Sequence, residues 1–374
     1  MLDKKRLIRV SGGAIDLSKV NITGGRLSAR ETANCYVISE PGEYCFPLVY
    51  GCAITAGTTN AASYTKQGAY TQPFYNHLNT EITSPFLENV ATPVSAQVIQ
   101  YDTTGYAISE LTIKNCNPCK FLKFTVNSVP ALGGNAIIAV KDGSGNIMWS
   151  WHIWAYPFSL GTFTHTNTNN VSYNILDVNI GWVKKATNSK YGTSPYYQWG
   201  RKDPFLRSGA TSGTIVTADT ATSVAQTIKA PTTFNKYETS NYNWLNVTYF
   251  YNYWDADCTN TGSSDKVVNK TIYDPSPVGF SIPCGNTFLG FSTSNGGTYD
   301  SGYTWDNNYF AAAGYRNGEN GVIGDVGATG LYWRSSSYWQ RAAHNLFLAS
   351  RGVVYPDNSG ARGTGVSVRP VRRT

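Results

Sequence analysis

The stretch Gly134–Trp154, GNAIIAVKDGSGNIMWSWHIW, decides the fold class of this chain. β-Branched and aromatic residues alternate in its two arms, and Asp142-Gly143 stands between them, a pair that accepts the positive φ angles of a tight hairpin turn. The reading is strand, turn, strand. The same pattern extends toward the N-terminus through NCYVI at 34–38, the turn SEPGE at 39–43, YCFPLVYG at 44–51, AQVIQYD at 96–102, YAISELTIKN at 106–115 and FLKFTVNSV at 121–129. Short strands punctuated in this way predict an N-terminal β-sandwich of immunoglobulin-like type over residues 31–156.

On either side of that region the pattern weakens. Residues 1–30 carry mixed charge and two Gly-Gly pairs without a period, and read as an N-terminal attachment arm. After Tyr156-Pro157 the composition shifts to Thr, Asn, Tyr and Trp, which places a domain boundary there and a second domain over 157–374. Inside that domain, residues 210–245 are Thr- and Ser-rich and read as an inserted loop, with a short helix or two expected near Asn241 to Asp255. The expected fold class is mainly β with an α+β C-terminal domain.

Composition narrows the function. The 36 glycines, 26 tyrosines and 10 tryptophans, against only 14% charged residues, are those of a turn-rich, aromatic surface protein. A net charge of +7 without a long basic run argues against nucleic-acid binding and leaves room for an acidic partner. No apolar run reaches the roughly 18 residues of a membrane span, and the basic start MLDKKRLIRV leads into no apolar signal region. Seven cysteines, an odd number spread from Cys35 to Cys284, do not suggest a disulfide framework. Folding in a reducing cytoplasm, followed by release within a virion, is the expected localisation.

Reactive motifs are sparse. Cys116-Asn-Pro-Cys119 lies between two strand-like runs, so a structural hairpin turn is expected there rather than a redox site at a helix start. His77, His152, His165 and His344 are far apart and form no ligand pair, and His152 inside WSWHIW reads as a packed strand residue. There is no Gly-x-Ser-x-Gly and no phosphate-binding glycine loop, although Asp255, Asp257, Asp300 and Asp306 could meet in space. No cofactor, no metal and no catalytic residue are expected.

The C-terminal run GLYWRSSSYWQRAAHNLFLASRGVVYPDNSGARGTGVSVRPVRRT differs in character. Arg334, Arg341, Arg351 and Arg362 are interleaved with Tyr332, Trp333, Tyr338, Trp339 and Tyr355, and Asp357 is the lone acid. Arginine and aromatic side chains dominate binding hot spots because they bring large contact area at low entropic cost. The alternative is that Trp333, Leu346, Leu348, Val353, Val366 and Val368 fill a core while the arginines keep the surface soluble. The alternation in NLFLASRGVVY implies that some side chains point each way.

Four blocks carry a family resemblance: YYQWGRKDPF at 196–205, YDPSPVGFSIP at 273–283, GLYWRSSS at 330–337 and GVSVRPVR at 365–372. They resemble the signature blocks of C-type-lectin-fold proteins on the branch related to formylglycine-generating enzymes. NILDVNIGW at 174–182 resembles the first strand of such a domain. The resemblance covers residues 135–374 and implies a C-type-lectin-like domain whose segment 330–366 is the variable region of a diversity-generating retroelement. It further implies ligand contact at Ser337, Tyr338, Arg341, His344, Ser350, Arg351, Tyr355, Asp357, Ser359, Arg362 and Thr364. Tyr332, Arg334, Trp339 and Gln340 complete the candidate set, although Trp339 and Gln340 depart from the pattern because mutated Asn codons cannot encode them. No cysteine follows Cys284, so formylglycine-type oxidation is not expected. The calcium-dependent sugar-binding tripeptides of animal lectins are also missing.

Together these readings predict a non-enzymatic phage tail-tip or tail-fibre adhesin that binds a bacterial surface receptor, glycan or protein. It would meet virion tail proteins through its N-terminal region, and a homo-oligomer such as a trimer is compatible with that role. The alternatives are an exported bacterial or pilus-tip adhesin of the same fold, a surface carbohydrate-active enzyme, and a purely structural virion protein.

Overall fold

The Asp142-Gly143 hairpin forms where the sequence places it, and Asp142 organises it by accepting from the backbone N–H groups of Ser144 and Asn146, each at 2.9 Å. The computed structural model describes residues 13–68, 71–246, 251–258, 263–293, 298–339, 341–350 and 352–373. Among these the chain is mainly β, with one α-helix. The first half contributes β1 (Ile15–Asp16), β2 (Cys35–Ile38), β3 (Gly42–Pro47), β4 (Ser95–Tyr101), β5 (Ala107–Lys114), β6 (Phe121–Ser128), β7 (Gly134–Lys141) and β8 (Ile147–Ala155). The second adds β9 (Thr162–Thr166), β10 (Ser172–Leu176), α1 (Val224–Lys229), β11 (Phe280–Ser281), β12 (Thr329–Tyr338), β13 (Ala342–Ala349), β14 (Val353–Ala361) and β15 (Val371–Arg372), besides several shorter pairings.

Two four-stranded sheets, ordered β1-β3-β6-β5 and β2-β8-β7-β4, come from the first half. In β6 the period of two works as expected: Leu122, Phe124 and Val126 are buried, while Lys123, Thr125 and Asn127 turn outward. Phe46 of one sheet meets Tyr36 and Trp151 of the other, with ring centroids 5.0 and 4.9 Å apart. Burying aromatic area of this size is worth about 2 to 3 kcal/mol per ring.

β8 does not alternate, because both of its faces are covered. Trp151 meets Phe46 and Trp149 lies between Tyr50 and Tyr273, whereas Ser150, His152 and Trp154 meet the second half. Ser150 Oγ donates to Asp203 at 2.7 Å, His152 Nδ1 lies 3.3 Å from the Tyr197 hydroxyl, and Trp154 Nε1 donates to Trp182 O at 3.2 Å. Asn34 Nδ2 donates to Ile272 O and Asp274 O, and Asn34 Oδ1 accepts from Trp149 Nε1. The largest apolar cluster consequently runs without a break from Ala14 to Val368. The expected domains 31–156 and 157–374 share one core, and the arm expected over 1–30 is, from residue 13 onward, part of it: β1 pairs in parallel with β3, and Ala14 and Leu17 are buried. Residues 1–12 lie outside the described residues.

The helix is not where the sequence pointed. The described part of 241–255 is non-helical, and α1 stands inside the stretch read as a loop. Ser223 caps it by accepting from Gln226 N, and Val224, Ala225 and Ile228 form its buried face. The helix has only six residues, too few for a periodic pattern to stand out against the surrounding Thr and Ser. In the second half β10 pairs with β15, Ile175 opposite Val371, so strands near the two ends of that region lie side by side. β12, β13 and β14 form a separate antiparallel sheet.

Candidate binding surface

The candidate contact residues fall almost entirely on the β12-β13-β14 sheet, whose two faces have different fates. Side chains alternate along β13, so Leu346 and Leu348 join Tyr332, Phe288, Phe291 and Phe310 in a second apolar cluster. Asn345 and Phe347 point the other way. With Leu331, Trp333, Tyr315 and Asn358 they line a groove of about 240 Å³, bordered by Ser359 and Thr364. Asn358 Nδ2 donates to Asn345 Oδ1 at 2.9 Å across it. Tyr355, 56% exposed, stacks on Phe347 with centroids 5.8 Å apart.

Five of the expected contact residues are corrected to the interior. Tyr332 is fully buried against Phe310 and donates its hydroxyl to Ala311 O at 2.6 Å. Arg334 is fully buried, donating to Gly285 O and to the Asp357 carboxylate. Ser337, His344 and Arg362 are buried as well. Arg362 lies over the Trp199 ring at 4.5 Å and donates to Ala342 O (3.0 Å), Ser337 Oγ (2.9 Å) and Trp339 O (2.7 Å). Burial lowers its pKa to about 9. These arginines look like surface residues in the sequence, but their donors are spent on main-chain carbonyl groups and, for Arg334, on the Asp357 carboxylate.

The remaining described candidates reach solvent in different places. Trp339, 67% exposed, and Tyr338 stand at the β12–β13 tip beside exposed Arg341, and Ser350 is exposed at the opposite end of β13. Trp339 has φ +67°, a left-handed conformation that costs a bulky residue about 1 to 2 kcal/mol, and the Arg362 bond to its carbonyl holds it there. Tyr338 lies edge-on to His344, on the face opposite Tyr355, so the exposed aromatics do not form one patch. Gln340 and Arg351 lie outside the described residues. The groove residues Asn345, Phe347 and Asn358 were missed, yet the alternation in NLFLAS carried the signal: if Leu346 and Leu348 are core, their neighbours face away.

Asp357 joins Arg334, His344 and Ser263. Burial opposes its ionisation, but the hydrogen bond and charge of Arg334 draw its pKa below the ordinary carboxylate range. Burial and then the Arg334 charge lower the His344 pKa, so that ring is neutral at pH 7. Ser263 Oγ and Asp357 Oδ1 both approach His344 Nδ1, at 3.5 and 2.9 Å, while Nε2 is buried without a partner. A relay needs nucleophile and acid on opposite ring nitrogens, so these three do not form one.

The other sequence motifs have structural positions. Cys116 and Cys119 sit in the β5–β6 turn, and all seven cysteines are free thiols. The signature-like 196–205 block is buried at the join of the two halves: Lys202 Nζ donates to Ser150 O at 3.0 Å and to Asp203 at 2.7 Å, and Arg201 donates to Thr233 O at 2.9 Å. Among the described residues no His, Cys, Asp and Glu group has metal-site geometry, and no helix is long and apolar enough to cross a membrane. Set against known protein families, characterised proteins and solved structures, the chain matches none.

Proposed function

We propose that this chain is a receptor-binding adhesin of a phage tail tip or tail fibre, and that the groove face of the β12-β13-β14 sheet, with the β12–β13 tip, is its contact surface. The observation that carries this reading is the Phe347–Tyr355 stack beside a groove lined by Asn345 and Asn358, on a sheet whose opposite face is locked into a core. A rigid aromatic platform with amide groups is suited to a glycan or a peptide loop: the rings supply contact area and the amides supply orientation. The β10–β15 pairing supports a C-type-lectin-like arrangement of the second half, and the two facing sheets support a β-sandwich in the first. Each site binds weakly, and several copies on one particle supply avidity. The candidate contacts are Tyr355, Phe347, Asn358, Ser359 and Thr364 on the groove, with Tyr338, Trp339 and Arg341 at the tip.

The test is adhesion of the purified chain to a panel of bacterial cells, with Tyr355→Ala and Asn358→Ala compared with wild type. Loss of adhesion at unchanged thermal stability is expected. Adhesion that survives both substitutions overturns the assignment.

A further inference from the structure

A second concavity lies elsewhere, where the two halves meet, and it shares no lining residue with the groove. Its volume is about 960 Å³, whereas three other internal spaces of the molecule measure about 10 Å³ each. The core is otherwise closely packed, so this cleft is not a packing defect of the usual kind. It stands at the upper end of the roughly 300 to 1,000 Å³ typical of small-molecule sites.

Its walls are tied together. Arg207 Nε donates to Asp102 Oδ2 at 2.9 Å, Nη2 to Thr103 Oγ1 at 3.0 Å, and Nη1 to Thr193 Oγ1 at 3.1 Å and Gly209 O at 3.0 Å. One guanidinium thus fastens the 102–103 turn of the first half to two loops of the second, and preorganises the opening between them. The floor is apolar, with Leu132, Val183 and Ala311 to Ala313. Tyr191 and Tyr309 form an aromatic wall, their rings edge-to-face at 5.3 Å. Hydroxyl groups of Thr104, Thr193, Ser208 and Ser301 stand round the rim.

Charge decides among ligands. Exposed Lys185 lines the cleft, and the Arg207 charge is matched by Asp102; Lys184 lines it as well, but its ammonium donates to Thr187 O at 3.3 Å and lies over the Phe158 ring, outside the lining. The one carboxylate in the lining, Asp300, accepts from the Tyr191 hydroxyl and faces Lys190 at 4.0 Å. With Lys190 offsetting Asp300, Lys185 leaves an excess of positive charge. No helix contributes to the lining, so the cleft lacks the helix-terminal N–H groups that favour phosphate, and its excess charge is a single ammonium group. Aromatic walls for the C–H face of a sugar, hydroxyls that both donate and accept, and an ammonium group for a carboxylate describe one ligand class.

We propose that this cleft is a second binding site, for a short acidic saccharide whose carboxylate is met by Lys185. The proposal stands independently of the adhesin reading, because the cleft and the groove have no residue in common.

The test is isothermal titration of the full chain with trigalacturonate, with maltotriose as the neutral counterpart and pyrophosphate as the non-sugar anion. Trigalacturonate is expected to bind, more tightly than either control. Lys185→Glu should weaken it about ten-fold or more, as reversal of a charge facing a carboxylate does. Ser208→Trp, which fills the cleft from its rim, should abolish binding, and serves as the second variant should Lys185→Glu fail to fold. Tyr355→Ala should leave trigalacturonate binding unchanged even where it abolishes cell adhesion, which separates the fate of this site from that of the groove. The proposal is overturned if wild type binds no trigalacturonate, if maltotriose or pyrophosphate binds as well, if correctly folded Lys185→Glu or Ser208→Trp binds like wild type, or if Tyr355→Ala alone removes binding.

Discussion

Replacing Arg362 with alanine separates a surface contact from a buried strut. The side chain donates hydrogen bonds to Ala342 O, Ser337 Oγ and Trp339 O, and covers the Trp199 ring at 4.5 Å. Hydrogen bonds from a charged donor contribute about 1.5 to 3 kcal/mol each, and the packed cation adds about 1 kcal/mol, for a gross figure of about 6 to 10 kcal/mol. Returning the guanidinium to water in the unfolded chain offsets several kcal/mol of this, leaving a net loss of about 3 to 5 kcal/mol for Arg362→Ala. Exposed Arg341, next to the same hairpin tip, serves as the control: Arg341→Ala should change stability by no more than about 0.5 kcal/mol. Urea unfolding followed by tryptophan fluorescence measures both. A loss below about 1 kcal/mol for Arg362→Ala would refute the strut, and would return Arg362 to the set of ligand contacts.

Other perturbations probe other parts of the fold. Burial draws the His152 pKa down to about 3, from about 6.5 when unfolded, so the unfolded state binds the extra proton and stability falls as pH drops through that window, by about 1.4 kcal/mol per unit. His152→Gln should flatten that part of the acid-unfolding profile, and an unchanged slope counts against a neutral buried ring. Asp255 behaves oppositely: burial raises its carboxyl to about 6, so the folded state holds the extra proton and stability is lost as pH rises from about 4 to 6. Asp255→Asn should therefore stabilise the chain above pH 7 by about 3 kcal/mol, with a gain that vanishes near pH 4; calorimetry at both pH values checks it. Gly51 has φ +36°, and a Cβ there would meet the Ile272 carbonyl oxygen at 2.4 Å, so Gly51→Ala should cost at least about 2 kcal/mol. A neutral Gly51→Ala in the same denaturation assay would show that the two halves are less closely fitted than described.

Legibility followed burial pattern. The hairpin β7–β8 and the strands β2, β3, β5 and β6 were readable because turn residues and apolar runs fell together. The Cys116 to Cys119 turn and the packed His152 were readable for the same reason. β8 was read as a strand, but its unbroken burial also announced a second layer behind it, and Ser150 and His152 on that side are what the second half bonds to. Single-sequence reading placed a boundary after residue 156 because composition changes there, yet composition follows strand length and loop content rather than contact. The C-terminal surface was half legible. Of the six positions offered as core in the alternative reading, Trp333, Leu346, Leu348, Val366 and Val368 are buried, whereas Val353 is only half-buried. Charge misled, since a lone arginine with no nearby acid in sequence reads as exposed, while Arg334, Arg362 and Arg369 find carbonyl partners that only the tertiary fold supplies.

The buried seam along β8 limits how this architecture can be divided. A fragment beginning at residue 157 would leave Trp182, Tyr197, Asp203 and Tyr273 facing water, and one ending at residue 156 would strip the back of Ser150, His152 and Trp154. Grafting the C-terminal sheet onto another carrier therefore requires the first half to travel with it. Neither piece is a module in the sense that a recombination event, or a protein engineer, would need.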